Sequence, residues 1–194
     1  SDERVTPLIS RLSVLTVTRN RSRRRRSIGC SSIDETAPVW TFDVGAAVSS
    51  TVETLRLLLR PHLVRWIPPD RPLVARGDPA RFRQVLEHLL ENEAKYAPDG
   101  WGISLGAWQE GSEVRVYVTD DGPGVPIEDW ETVFQPYVRV DRARSRGSGI
   151  GLFAARRLME AMGGRVWIEA NGYGGSRFVV ALPAAQASGS GEPS

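Results

Sequence analysis

Apolar residues along this chain recur at two spacings. Val44, Ala47, Val48, Val52, Leu55 and Leu59 have helical spacing within Phe42 to Arg60, which predicts an amphipathic helix ending before Pro61. Phe82, Val85, Leu86, Leu89 and Leu90 supply a second such face. Asp78-Pro79 marks its start, with a capping carboxylate and then Pro at the first helical position, and Pro98-Asp99-Gly100 marks its end. Val64 to Ile67 and Leu73 to Ala75 read as short strands on either side of a Pro-Pro turn. Alternation takes over at Ile103, Leu105 and Ala107 and again at Val114, Val116 and Val118; with Glu110-Gly111-Ser112 between them, the two runs predict a β-hairpin. Ile150 to Met162 is a third helix, closed by Gly163-Gly164. Val166 to Ile168 and Phe178 to Leu182 predict a last hairpin around residues 172–175.

Three stretches escape this pattern. Residues 121–148 are rich in Gly, Pro, Arg and Asp and too long for an ordinary connection, which predicts either a functional lid or a disordered segment. Residues 1–37 carry Val5, Leu8, Leu12 and Leu15 at helical spacing, then the basic run Arg19 to Arg26 and Ser-rich chain. Such a run is either a solvated linker or a surface for nucleic acid or acidic lipid; solvation is its commoner fate, and no nucleic-acid partner is expected. Residues 185–194 are expected to be a disordered tail. The expected division is a helix end and basic linker over 1–37, one α+β domain over 38–184, and the tail. The start at Ser1-Asp2, without Met, suggests a piece of something longer.

Composition narrows the class. Hydrophobic residues make up 41% of the 194 and charged ones 25%, an ordinary globular balance. A net charge of +2 argues against a general polyanion binder. Cys30 is the only cysteine, so an intrachain disulfide is excluded and a reducing compartment suits the chain. There is no apolar run of about 18 residues to span a membrane and no signal-peptide pattern.

Three clusters carry candidate chemistry. Asn92, Lys95 and Tyr96 share one helix face. An amide oxygen that can bind Mg²⁺, an ammonium for phosphate and a ring for a base suit a nucleotide; the same residues also fit an exposed helix end. Asp120-Asp121-Gly122-Pro123-Gly124 follows an apolar strand. A carboxylate buried there needs a donor, such as the amine of adenine, and glycines allow close backbone approach; a plain turn has the same composition. Gly147-Ser148-Gly149-Ile150-Gly151-Leu152 opens a helix, where backbone amides make a phosphate site. It is neither a Walker loop, lacking Gly-Lys-Ser/Thr, nor a dinucleotide fingerprint, lacking a preceding strand and the right glycine spacing.

The order of these elements is more specific than any one of them. An Asn-bearing helix, a strand ending in Asp-x-Gly-x-Gly, a long lid, Gly-x-Gly-x-Gly opening a helix, and Gly175-Ser176 before the final strand resemble the histidine-kinase branch of the ATPase superfamily that also contains gyrase B, Hsp90 and MutL. The resemblance covers residues 40–184. It implies a Bergerat fold: a two-layer α/β sandwich with a mixed, mostly antiparallel sheet of about five strands, about three helices and a long ATP lid. It implies ATP and Mg²⁺ as ligands. On the N box, His88 to Tyr96, it puts Mg²⁺ on Asn92, phosphate on Lys95 and adenine near Tyr96. The G1 box places the adenine amine on Asp120, with Gly122, Gly124 and Val125 beside it. The F box is Phe134 to Tyr137, and Arg139 after it is expected to approach the terminal phosphate, as are Arg142, Arg144 or Arg146 in the lid. The G2 box is Gly147, Ser148, Gly149, Ile150, Gly151 and Leu152, and Ser176 stands where the family often has Thr near the adenine pocket.

The same resemblance implies partners: a dimerisation domain with the acceptor histidine, a response regulator, and a homodimer in the full-length protein, this domain being cytoplasmic and the whole protein membrane-anchored in most sensor kinases. His62 and His88 are the only histidines, and neither matches the acceptor's surroundings, so the chain is expected to bind nucleotide without phosphorylating itself in cis. Two positions depart from the family pattern. His88 replaces the usual Asn, at the place where hydrolysing relatives carry a Glu base, and Glu93 replaces the usual Ala. The alternatives are a GHKL-type hydrolysing ATPase, which His88 argues against, and an anti-sigma-type protein-serine kinase, which the preceding helix and linker argue against.

Overall fold

The computed structural model describes residues 40–97, 101–138, 148–172 and 175–185. The N-terminal helix, the Arg19 to Arg26 run, the tail beyond residue 185, Arg139, the lid arginines and Gly147 lie outside the described residues. A central sheet has the strand order β2-β4-β5-β7-β6, from β2 (Leu63–Ile67), β4 (Gly102–Glu110), β5 (Glu113–Asp120), β6 (Arg165–Ala170) and β7 (Ser176–Pro183). The β2–β4 pair is parallel and the other three pairs are antiparallel. Helices α1 (Val44–Thr54), α2 (Pro79–Tyr96) and α3 (Gly151–Ala161) cover one face. This is the mixed five-stranded, three-helix α+β sandwich expected. A further pair, β1 (Thr41–Asp43) with β3 (Val74–Arg76), forms a small antiparallel sheet, joined to the end of β7 by the bridge Ala75–Ala184. Among the described residues no helix is long and apolar enough to cross a membrane.

Alternation along the strands decides which face is covered. Ile103 and Leu105 of β4, Val114, Val116 and Val118 of β5, and Phe178, Val180 and Leu182 of β7 are buried in a core shared with Phe82, Val85, Leu86, Leu89 and Leu90 of α2 and with Ala155 and Met159 of α3. Phe42 and Phe82 stack with ring centroids 5.1 Å apart.

The first predicted helix is shorter than its apolar spacing suggests. Asp43 has extended backbone and its Oδ1 accepts the Ala46 N–H at 2.9 Å, so the helix starts at Val44. Phe42 belongs instead to β1, opposite Ala75. At the other end α1 stops at Thr54 and gives way to turns, in which Leu57 and Leu58 are exposed. Helix α2 begins as predicted, with Asp78 Oδ1 accepting from the Ala80 and Arg81 N–H groups. At its far end the Ala94 carbonyl lacks the usual helical donor, because Pro98, four residues on, has no N–H. Buried His62 takes that role, its Nε2 bonding the Ala94 carbonyl at 3.1 Å. A carbonyl only accepts, so Nε2 carries the proton.

Candidate nucleotide site

One cavity of about 630 Å³ opens between α2, the end of β5, the start of α3 and β7. It gathers Asn92, Lys95 and Tyr96 from α2, Asp120, Gly124 and Val125 from β5 and the chain after it, Ser148, Gly149, Ile150, Gly151 and Leu152 from the start of α3, and Ser176 from β7. Of the described residues expected at the site, two are not in its lining. Gly122 lies beside it, its N–H donating to Asp120 Oδ1. The side chain of Tyr137 is 75% exposed, and that residue contributes its N–H, which donates to the Gly149 carbonyl at 2.9 Å. Pro126, Val133, Val138 and Phe178 line the cavity from outside the nucleotide motifs, and Pro123 and Glu91 line it from within them without an assigned role.

The chain after β5 is fixed by side chains from afar. Ser176 Oγ is buried and accepts the Val125 N–H at 2.7 Å, while the Trp130 indole N–H donates to the Val125 carbonyl at 2.9 Å. Gly124 has φ +72°, and a Cβ there would stand 2.7 Å from the Gly175 carbonyl carbon and 2.8 Å from Ser176 Oγ. Glycine is therefore required for conformation and for space. Asn171 closes the arrangement from the β6–β7 turn: its Nδ2 donates to the Asp120 carbonyl at 3.1 Å and its Oδ1 accepts the Gly175 N–H at 2.9 Å. Neither Trp130 nor Asn171 carries a local sequence signal for this role. Phe134 is buried against Phe178 with rings edge-on, so the first part of the predicted lid is anchored in the core.

The lining carries groups of both charges. Lys95, the only lysine, lies over the Tyr96 ring at 4.7 Å and donates to its hydroxyl at 3.2 Å. The N-terminus of α3 lines the cavity too. Asp43 and Asp78 cap the first turns of α1 and α2, whereas Ile150 gives α3 no side-chain cap. Its first amides are left for water or a ligand and carry the positive end of the helix dipole. His88, one turn before Asn92, also lines the cavity, 3.7 Å from where a Cβ on Gly151 would be.

Asp120 and Glu93 also line the cavity. Glu93 is 1% exposed, and no donor reaches either of its carboxyl oxygens within hydrogen-bonding geometry. Burial first, and then the adjacent Asp120 carboxyl, push Glu93 well above the ordinary carboxyl range, with the Asn92 amide pulling the other way.

The fold and site agree with what the chain is similar to. The family model for histidine kinase-, DNA gyrase B- and HSP90-like ATPases matches residues 77–186, more than half of the 194. The adaptive-response sensory kinase SasA of Thermosynechococcus vestitus is 41% identical over 147 residues, covering 73% of this chain and 38% of that kinase. SasA of Trichormus variabilis is 40% identical over 119 residues, covering 60% and 29%. The chain thus spans well under half the length of these relatives. Among solved structures, the nucleotide-free catalytic domain of the histidine kinase ThkA superposes with a TM-score of 0.67 at 23% identity, over 76% of this chain and 96% of that domain, which shows the fold. Full-length ShkA in complex with AMPPNP gives 0.65 at 27% identity, over 76% of this chain and 31% of that one. The chain belongs to the family of histidine kinase-, DNA gyrase B- and HSP90-like ATPases.

Proposed function

We propose that this domain is the catalytic, ATP-binding part of a two-component sensor histidine kinase. It supplies the γ-phosphoryl group of Mg-ATP to a histidine on a dimerisation domain, within a homodimeric full-length protein that signals to a response regulator. The observation that carries this reading is the lining of the cavity. It brings together the Asp120 carboxyl, which suits the amine of adenine, and Lys95 with the uncapped α3 amides, which suit the phosphates.

Asp120 has one oxygen on the Gly122 N–H and the other available for the base amine. Val125, Val133, Leu152 and Phe178 give the base apolar walls. Asn92 lines the same cavity. Among the described residues no group of three or more His, Cys, Asp or Glu could hold a metal alone. The donor set that fits is a single amide oxygen completed by phosphate oxygens and water, which is how Mg²⁺ is commonly held beside a nucleotide. Mg²⁺ bound there would neutralise phosphate charge. Lys95 holds the triphosphate in line, and the lid arginines, Arg139 first among them, stand near enough in sequence to reach the terminal phosphate. Positioning and charge stabilisation supply most of the catalysis in phosphoryl transfer. The acceptor histidine comes from elsewhere: His62 is buried and bonded to Ala94, and His88 lines the nucleotide cavity itself.

The test mixes this chain with ATP and a separate dimerisation domain carrying an acceptor histidine. Acid-labile phosphate on that histidine is the expected result. Hydrolysis of ATP without transfer would overturn the kinase reading and leave the ATPase family membership intact.

A further inference from the structure

The central sheet ends in two edge strands, β2 and β6, each paired on one side only among the described residues. An open edge is a template for another strand, and proteins usually blunt it with Pro, Lys, a bulge or a covering element. β2 is blunted. It runs into Pro68-Pro69, and its middle residue is Arg65, so pairing β2 with its own copy about that residue sets Arg65 against Arg65. β6 holds neither Pro nor Lys, and its register on β7 runs unbroken from Arg165↔Ala181 to Ala170↔Ser176. Its side chains alternate. Val166 and Ile168 are buried in the core under the helices. Arg165, Trp167 and Glu169 lie on the opposite face, with the indole in the middle and opposite charges two residues to either side. Neither charge is fully used within the chain. Arg165 donates from Nη2 to Glu113 at 2.8 Å and lies over the Trp167 ring at 4.8 Å, and Glu169 accepts the Trp167 indole N–H on Oε1 at 2.7 Å. Arg165 Nη1 and Glu169 Oε2 bond nothing among the described residues.

We propose that β6 is a self-association edge: it pairs antiparallel with β6 of a second copy of this chain, Trp167 opposite Trp167. The charge pattern selects this occupant. In an antiparallel pair, directly opposite residues lie on the same face. Centring on Trp167 sets Arg165 of each copy opposite Glu169 of the other, and Val166 opposite Ile168. Both ion pairs then fall on the open face and both aliphatic pairs on the helical face, so the two sheets join with all their helices on one side. Other registers lose this match. Centring on Val166 or Ile168 sets Trp167 against Arg165 or Glu169, and centring on Arg165 or Glu169 sets like charges together. Pairing two strands of six residues buries less than the roughly 1,000 Å² of a stable interface, so separate copies associate weakly. Copies tethered in one assembly reach millimolar effective concentration, where such a contact is populated.

The test is sedimentation equilibrium of the whole chain, up to the millimolar concentration of a tethered pair, with charge-swapped variants. Arg165→Glu places Glu opposite Glu in both cross-strand pairs, and Glu169→Arg places Arg opposite Arg. The parent is expected to dimerise reversibly, and each single variant to dimerise about tenfold or more weakly, since two attractive pairs become repulsive. Mixing the two variants restores association, because one strand then carries two Glu and the other two Arg. The double variant Arg165→Glu with Glu169→Arg restores the homodimer. Near-UV circular dichroism checks that each variant is folded, and rescue by mixing cannot come from a chain that has lost its fold. A parent that stays monomeric up to about 1 mM overturns the inference. So does a single variant that associates as tightly as the parent, or a mixture that associates no better than its components, since the contact would then lie elsewhere.

Discussion

Asn171 holds the end of β5 to the start of β7: its amide donates to the Asp120 carbonyl at 3.1 Å and accepts from the Gly175 N–H at 2.9 Å. Asp120 therefore owes the position of its carboxyl to a residue about 50 places away as well as to its own strand. Truncation to Asn171→Ala leaves both backbone groups without that partner, which costs about 1–3 kcal/mol when such groups stay dry. Thermal unfolding is expected to show a lower Tm, and calorimetry a weaker affinity for ATP with Asp120 itself unchanged. A variant with normal Tm and normal affinity would show that Asn171 has no positioning role.

Gly124 gives a sharper steric prediction. Its φ of +72° and the 2.7 Å approach of a Cβ to the Gly175 carbonyl carbon leave no room for a side chain. Gly124→Ala is expected to displace the Ser176–Val125 contact and lower stability by about 1–3 kcal/mol, the usual cost of a residue forced into a disfavoured backbone region. Urea unfolding measures it, and the control Gly111→Ala, with φ +58° but nothing within 4 Å, separates conformational strain from crowding.

These two residues also mark how far the sequence could be read. Asp78-Pro79 and the apolar face from Phe82 to Leu90 specify α2 locally, and the β4–β5 hairpin follows from alternation around Gly111. The small sheet was not legible, because Thr41–Asp43 is too short to show a period and Phe42 fits a helix face as well as a strand. Its partner, β3, lies some 30 residues on. The site behaves similarly. Asn92, Asp120 and the glycines before α3 stand in local motifs and converge on one cavity. Asn171 and Trp130 act on backbone groups that only the folded sheet brings near, and in the sequence each looks like an ordinary turn or loop residue. Tyr137 shows the converse: a motif position whose side chain faces solvent.

In the proposed site Asn92, which lines the cavity, gives one oxygen to a cation shared with the phosphates. Asn92→Ala is expected to abolish Mg²⁺-dependent ATP binding while leaving the fold intact, since the side chain is only half-buried. Calorimetry with and without Mg²⁺ decides. Unchanged affinity removes Asn92 from the metal site.

With Asp120 accepting the adenine amine as proposed, charge removal is expected to act on the base and not on the phosphates. Asp120→Asn should weaken ATP about tenfold or more, the range for losing a charge-assisted hydrogen bond, with little change for tripolyphosphate. Competition binding measures both. If the parent binds GTP as well as ATP, the assignment of Asp120 falls.

Glu93 ties the lining of the site to stability. Burial and the neighbouring Asp120 raise its carboxyl well above the ordinary range in the folded chain, so folding binds a proton that unfolding releases. Below the ordinary carboxyl range both states are protonated and Glu93 costs nothing extra. As pH rises from there toward the raised folded value, the unfolded state loses its proton first, and stability falls until the folded carboxyl also ionises. Glu93→Gln removes this slope. The variant is expected to match the parent in acid and to exceed it increasingly toward neutral and alkaline pH, by about 1.4 kcal/mol for each unit by which the folded value is raised. Urea unfolding of the nucleotide-free chain across that range is the measurement; parallel stability curves for parent and variant would mean that Glu93 ionises as easily in the fold as in water.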